Sequence, residues 1–384
     1  MISKKRAFIY SIILVIVTII GTTMVQLTLG NKVIISKNLY ESYAKYNKLL
    51  GLEELIEEDY YKEVADEDLF DGALKGLFEG LDDPYSQYYT EEEFKSLQEQ
   101  TSGSFVGIGV YIGINSEDNN ITIISPIEGS PAYEAGIKPG DIVLSVDGED
   151  VDSSMLDETI KKIKGEENTD VNLTIQRDGK EMNFTVTRKT IVTKSVDSKV
   201  MDNDIGYLRI TSFDENTYDE FKEHISSLQS EGVKGLVIDL RDNPGGLLDV
   251  CVDIADDIIG KGTIVYTKDN TGNKEYYKSD EKELNLPMAV LINGGSASAS
   301  EILTAALVDN NKAVAIGETS FGKGLVQSVK QLKDGTGYKL TTAQYYTPNG
   351  DYINGKGITP EIKEEDEEQQ LKSALEYLEG KIKQ

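Results

Sequence analysis

The chain has 384 residues, room for two or three domains, and 39 basic against 67 acidic residues give it a formal net charge of −28. That surplus repels phosphate backbones and argues against a nucleic-acid partner. One cysteine, Cys251, permits neither an internal disulfide nor a thiolate metal site, and one histidine, His224, is too few for a histidine-ligated zinc.

In chain order, Lys4, Lys5 and Arg6 precede residues 7–31, which carry no charge and are rich in Ile, Leu and Val. About 20 such residues cross a bilayer core. The basic cluster places the N-terminus in the cytoplasm and everything after Lys32 outside. A cleaved signal peptide is the competing reading, but "TTMVQLTLG" offers no clean A-x-A site. The segment therefore predicts a retained single-pass anchor, with the rest of the chain extracytoplasmic at the cell membrane.

Apolar residues three and four apart in "LLGLEELIEE" and "LFDGALKGLFEGL" predict an acidic helical arm over 32–100, with a stop and turn at "DDPYSQYY". Residues 101–190 change to short β-type runs, five in all, with one amphipathic helix in "SMLDETIKKIKG". From 191 to 363 strand-like and helical runs alternate, which predicts an α/β core with helices packed on a sheet. A solvated charge run, "EIKEEDEEQQ", and a final amphipathic helix fill 364–384.

The candidate chemistry lies in "GGSASASE". Ser296, Ser298 and Ser300 stand between the apolar run "MAVLI" and the helical pattern "EILTAALV". Small hydroxyl residues are favoured helix N-caps, so the run reads as a capped helix start or as a nucleophile. His224 falls off the Phe221, Ile225, Leu228 stripe of its helix, which predicts an exposed histidine and leaves a Ser-His-Asp triad without a base. A desolvated lysine is the substitute, since burial disfavours the ammonium. Lys323 in "GETSFGKGLVQ" suits this, because Gly322 and Gly324 let the backbone turn inward beside apolar neighbours. The same string falls short of a phosphate-binding loop, which needs Ser or Thr where Gly324 stands. The helix start after the serines and the glycine pair Gly245 and Gly246 of "RDNPGG" offer backbone N–H donors for an oxyanion.

"LRDNPGG", "GSASASEI" and "GETSFGKGLVQ", in that order, resemble the carboxy-terminal processing proteases, the tail-specific serine endopeptidases of peptidase family S41. "LDDPYSQYY" and "YYTPNGDYINGKGITPEI" extend the resemblance to roughly residues 40–362. It implies a crotonase-like (ClpP/crotonase-type) α/β protease core with an inserted β-rich PDZ domain; with the N-terminal helical arm and the one transmembrane helix read above, the whole chain is expected to be α/β multidomain. It implies Ser298 as nucleophile, Lys323 as base and Gln327 as the residue positioning it. It further implies Gly245 or Gly246 with the Ala299 N–H as oxyanion hole. Asp309 occupies the place of an aspartate often assigned to the site, and reads equally as a helix-end carboxylate. The 101–190 module resembles a PDZ domain, whose Gly107, Ile108, Gly109 and Val110 would hold a peptide C-terminal carboxylate beside the helix around Leu156 to Ile163. The implied partners are protein or peptide substrates with free C-termini and, through the terminal helices, a second copy of the chain. No cofactor or metal is implied. Two rival readings remain: a non-catalytic PDZ scaffold, and an acyl-CoA-type enzyme on the crotonase fold.

Overall fold

The computed structural model describes residues 3–29, 36–115 and 119–383. The chain divides into two units, residues 1–77 and 78–384. The first holds α1 (Lys4–Leu29), α2 (Lys37–Asp59) and most of α3 (Asp66–Glu79). Among the described residues α1 is the one helix long and apolar enough to cross a membrane, over Lys4–Val25. At about 1.5 Å per residue that stretch is roughly 33 Å long, matching a hydrocarbon core. Residues 30–35, where the anchor is expected to end, lie outside the described residues.

The second unit opens with a departure from the helical arm. "QYY" forms strand β1 (Gln87–Tyr89) before α4 (Glu91–Ser102), which Thr90 starts with a reciprocal capping box to Glu93. Two consecutive tyrosines favour a pleated surface over a helix, and β1 finds that surface on a strand some 250 residues later.

The β-rich module follows: β2 (Ser104–Gly107), β3 (Val110–Ile114), β4 (Ile121–Pro126), the short helix α5 (Pro131–Glu134), β5 (Ile142–Val146), β6 (Glu149–Asp150), α6 (Leu156–Ile163), β7 (Asp170–Arg177), β8 (Lys180–Thr187) and β9 (Lys189–Val192). The first predicted run, "FVGIGVYIGI", breaks at Gly107–Gly109, so β2 pairs with β9 while β3 takes the edge of the sheet β3-β4-β5-β7-β8. Ile121, Ile123, Val143, Leu173 and Ile175 fill its core at alternate strand positions.

The α/β core comprises β10 (Val196–Met201), β11 (Ile205–Ile210), α7 (Thr217–Ser230), β12 (Gly235–Asp239), α8 (Leu248–Ile259), β13 (Gly262–Asp269), β14 (Lys274–Ser279), β15 (Met288–Ile292), α9 (Ala299–Asp309), β16 (Ala313–Gly317), β17 (Leu325–Gln331), β18 (Gly337–Tyr346), β19 (Ile362–Lys363) and α10 (Glu367–Ile382). Its main sheet has the order β10-β11-β12-β15-β16-β19, parallel from β11 onward. Every residue of β12 and β15 is buried, because both faces are covered. Leu236, Ile238, Val290 and Ile292 face α7, α8 and α9, whereas Val237, Ala289 and Leu291 face α10. A second sheet, β1-β18-β13-β14 with β17 on β18, is antiparallel.

His224 on α7 is half-buried rather than exposed, its Nδ1 2.7 Å from Ser198 Oγ of β10. Cys251 is fully buried, and its thiol donates to the Ala299 carbonyl at 3.2 Å. Burial raises that thiol's pKa far above its usual range.

Candidate active site

Three neighbouring parallel strands, β12, β15 and β16, end on one side of the main sheet, the side on which open α/β sheets bind ligands. The loop after β12 supplies Gly245 and Gly246, the loop after β15 supplies the serines, and the loop after β16 supplies Lys323.

The alternation of the serines resolves their roles. Ser296 is buried; its hydroxyl donates to the Leu240 carbonyl at 2.8 Å and accepts the Asn293 N–H at 3.0 Å. Ser300 is equally buried and donates to the Asn243 carbonyl at 2.9 Å. Both fasten the serine turn to the loop after β12, as does the Ala297 N–H, which donates to the same Asn243 carbonyl at 3.0 Å. Ser298, between them, is half-buried and its hydroxyl fastens to neither loop; with Glu301 it forms the capping box that opens α9. Its backbone is strained, at φ 56° and ψ −114° immediately before α9.

Glycines make room for this turn. A Cβ on Gly245 (φ 100°) would stand 2.8 Å from Ser298 Cβ and 2.7 Å from the Ala297 carbonyl oxygen. One on Gly246 (φ 150°) would stand 2.2 Å from the Phe213 carbonyl oxygen. The Gly245 N–H is already spent on Asn243 Oδ1, at 2.8 Å. The N–H groups of Gly246 and Ala299 donate to nothing among the described residues.

A buried carboxylate joins the serine turn to the lysine loop. Glu301, with no exposed surface, accepts the Ser298 N–H at 2.9 Å and the Lys323 N–H at 2.8 Å on Oε2. On Oε1 it accepts the Ser320 hydroxyl at 2.5 Å and the Gly322 N–H at 2.7 Å. The Tyr345 phenol adds a second bridge, donating to the Ser298 carbonyl at 3.2 Å and to the Lys323 carbonyl. Burial pushes its pKa well above the ordinary phenol range, so it stays a donor.

The Lys323 side chain is half-buried, with Nζ 4.8 Å from the centroid of the Tyr85 ring. Burial holds its pKa below the ordinary lysine value, assisted by the nearby Lys339 charge and opposed by Asp83 and Glu301. Among the described residues Nζ makes no hydrogen bond or ion pair, and it is the backbones of Ser298 and Lys323, not their side chains, that Glu301 joins.

The family model for Peptidase family S41 matches residues 204–364, that for a PDZ domain residues 122–177, and that for the Activating protease CtpB N-terminal domain residues 25–93. Carboxy-terminal processing protease CtpA of Bacillus subtilis (strain 168) is 39% identical over 94% of this chain and 78% of its own length. The chain belongs to peptidase family S41. A Staphylococcus aureus (strain N315) relative named "Probable CtpA-like serine protease" is 38% identical over 90% of this chain and 71% of its own. The solved photosystem II D1 C-terminal processing protease is 30% identical and superposes with a TM-score of 0.51, covering 85% of this chain and 90% of that one. The protein is thus a serine-type C-terminal processing peptidase with a PDZ domain.

Not every residue that the family resemblance selects meets the serine. Gln327 on β17 donates through Nε2 to the Leu325 carbonyl at 3.2 Å and to Thr341 Oγ1 at 3.3 Å, not to Lys323. Asp309 ends α9, eleven residues and about 16 Å along the helix axis from Ser298. There its carboxylate accepts the Asn349 N–H at 3.0 Å, which fits a helix-end carboxylate. In the β-rich module, Ile108 is fully buried and its carbonyl accepts the Ala132 N–H at 2.9 Å, while the Gly109 carbonyl accepts the Ser130 hydroxyl at 3.0 Å. Val110 opens β3, whose free edge lies beside α6.

Glu301, Tyr345 and Tyr85 escaped the sequence reading. For Glu301 a signal was present, since Ser298-x-x-Glu301 has capping-box spacing. For the two tyrosines none was, because strand pairing brings them to the site from distant parts of the chain.

Proposed function

We propose that this protein is a membrane-anchored, extracytoplasmic endopeptidase with a Ser298/Lys323 dyad, which recognises protein C-termini through its PDZ domain and cleaves through an acyl-enzyme. The observation that carries this reading is the division of labour among the serines. Two are buried in structural hydrogen bonds, while Ser298 keeps its hydroxyl on a strained turn whose N–H shares the Glu301 carboxylate with Lys323.

Lys323 leaves the Tyr85 ring as a free amine and takes the proton of Ser298 Oγ, which attacks the scissile carbonyl. The Gly246 and Ala299 N–H groups, with Gly245 shaping the turn, hold the resulting oxyanion. The Lys323 ammonium then protonates the leaving amine, and a water deprotonated by the same lysine releases the acyl group. Gln327 would steady Nζ once its amide turns from Thr341. The four residues 107–110 would receive the substrate carboxylate, and the edge of β3 its extended tail, as an added strand. The α1 helix would retain the protein in the membrane. We place the PDZ module at 101–190 as an insertion ahead of a crotonase-type core at 191–363, between the arm at 32–100 and the C-terminal helix at 364–384. Self-association through the arm and α10 belongs to the same proposal. The intact serine and lysine elements favour a protease over a scaffold or an acyl-CoA enzyme.

Turnover of a fluorescence-quenched peptide with a free apolar C-terminus tests the dyad. Ser298→Ala and Lys323→Ala should each lose at least about a thousandfold in kcat. Unchanged cleavage by either variant removes that residue from its role.

A further inference from the structure

The "DDPYS" turn supplies no group to the bond-making and bond-breaking steps, yet the fold builds it into the site. Strand β1 registers Gln87 against Lys339 of β18. Two residues along, the Thr341 N–H donates to Ser86 Oγ at 2.9 Å, and Ser86 Oγ donates to Asp83 Oδ2 at 2.6 Å. So clamped, the turn lays the Tyr85 ring over Lys323 Nζ, with 4.8 Å to the centroid, inside the ~6 Å reach of a cation–π contact. The next tyrosine pair repeats the arrangement, with Lys339 Nζ 5.7 Å from the Tyr89 centroid. The charged and titratable groups around Lys323 are Asp83 and Tyr85 on the turn, Lys339 and Tyr345 on β18 and Glu301 on α9. Burial disfavours ionisation of Asp83, but hydrogen bonds from Ser86, Thr341 and the Tyr85 N–H, together with the Lys323 charge, hold its pKa below the usual carboxylate range. Asp83 is therefore a standing negative charge at the turn.

We propose that Tyr85 is a positioning residue for Lys323: the face of its ring keeps the lysine off the serine as an ammonium, with Asp83 as counter-charge, until the lysine yields its proton to solvent and swings to Ser298. The proposal rests on the assignment of Lys323 as the base. It makes the turn a rest position that sets the pH at which the enzyme becomes competent.

The test uses full-length protein in detergent micelles, reductively methylated with carbon-13 formaldehyde, which leaves lysines charged. The methyl resonance missing from Lys323→Arg identifies Lys323. In Ser298→Ala it should be shifted upfield by the Tyr85 ring, remain so with Tyr85→Phe added, and return to the position of exposed lysines with Tyr85→Leu. With the quenched peptide, the acid limb of kcat/KM should fall by about half to one pH unit in Tyr85→Leu, because the apolar cover stays while the ring's attraction for the ammonium goes. Tyr85→Phe should keep the wild-type limb. Asp83→Asn, which retains an oxygen for Ser86, should move the limb in the same direction and gives the reading if the leucine variant misfolds. An unshifted Lys323 resonance overturns the role of Tyr85. So does an unmoved limb in Tyr85→Leu, or in Asp83→Asn, while Lys323→Ala is inactive. Turnover retained by Lys323→Ala overturns the dyad itself and the Tyr85 role with it, a separate outcome because the resonance is read without catalysis.

Discussion

Glu301 Oε2 accepts the backbone N–H of Lys323 at 2.8 Å across 22 residues of sequence, and the same oxygen takes the N–H of Ser298. The proposed nucleophile and base are thus held to one buried carboxylate before either side chain moves. Glu301→Gln keeps the shape but turns one acceptor oxygen into an NH2 donor facing N–H or O–H donors. The substitution should cost about 2–4 kcal/mol of stability and at least a hundredfold in kcat, with KM changing less. Thermal unfolding and steady-state kinetics measure both, and wild-type kcat would dismiss the carboxylate as an alignment device.

Gly245 and Gly246 stand too close to their neighbours for any side chain. Gly245→Ala should abolish turnover and slow fluorophosphonate labelling of Ser298 by at least about a hundredfold, because its methyl would press on the Ser298 Cβ and the Ala297 carbonyl. Gly246→Ala should destabilise as well, since its methyl would meet the Phe213 carbonyl. Labelling at the wild-type rate in Gly245→Ala would show that the turn has slack.

Lys323 links catalysis and stability to pH. Its ordinary value is 10.5, and burial lowers it in the folded chain. The unfolded chain therefore binds this proton more tightly, and folding is least stable, on this residue's account, below the folded value. Stability rises through the window between folded and unfolded values and is full above the latter. Lys323→Met should accordingly raise Tm at neutral pH, with the gain shrinking as pH approaches 10.5. A lower Tm at neutral pH would contradict the desolvation of the ammonium.

Asp239 ends β12 with no exposed surface, paired to Arg241 through Nε at 2.9 Å and Nη2 at 2.5 Å. Arg241 Nη1 reaches α10 at the Glu367 carbonyl and at Gln370 Oε1, 3.0 and 3.2 Å away. Tyr207 also donates to Asp239, at 2.7 Å, and burial pushes its phenol up to about 12. Asp239→Ala strands a buried guanidinium and should cost about 3–5 kcal/mol, loosening the loop that carries Gly245. Denaturant unfolding checks the cost, and a loss under about 1 kcal/mol would mean that water reaches Arg241.

How much of this was readable in advance follows from the range of each interaction. Buried strands such as "GLVID" and "MAVLI", and the glycine pair after β12, announce themselves through local composition. The serine run, Lys323 and the glycine pair stood out because each follows an apolar strand-like run, whereas Ser298 itself came from the family resemblance. The choice among the serines did not follow, because it depends on the carbonyls of Leu240 and Asn243, more than 50 residues away. Asp309 came only from the family resemblance, with a helix-end carboxylate as the equal alternative, and it lies eleven residues along α9 from Ser298, where it accepts the Asn349 N–H. Tyr85 was hidden because "QYY" trades a helical arm for a place beside β18.

Thr341 gives its N–H to Ser86 and its hydroxyl oxygen to Gln327. One threonine therefore meters both the cradle of the lysine and the amide meant to steady it. A bend along β18, imposed from anywhere on the antiparallel sheet, is transmitted to both at once. Substitutions well away from the serine should for that reason tune turnover up or down in small steps, leaving the nucleophile itself untouched.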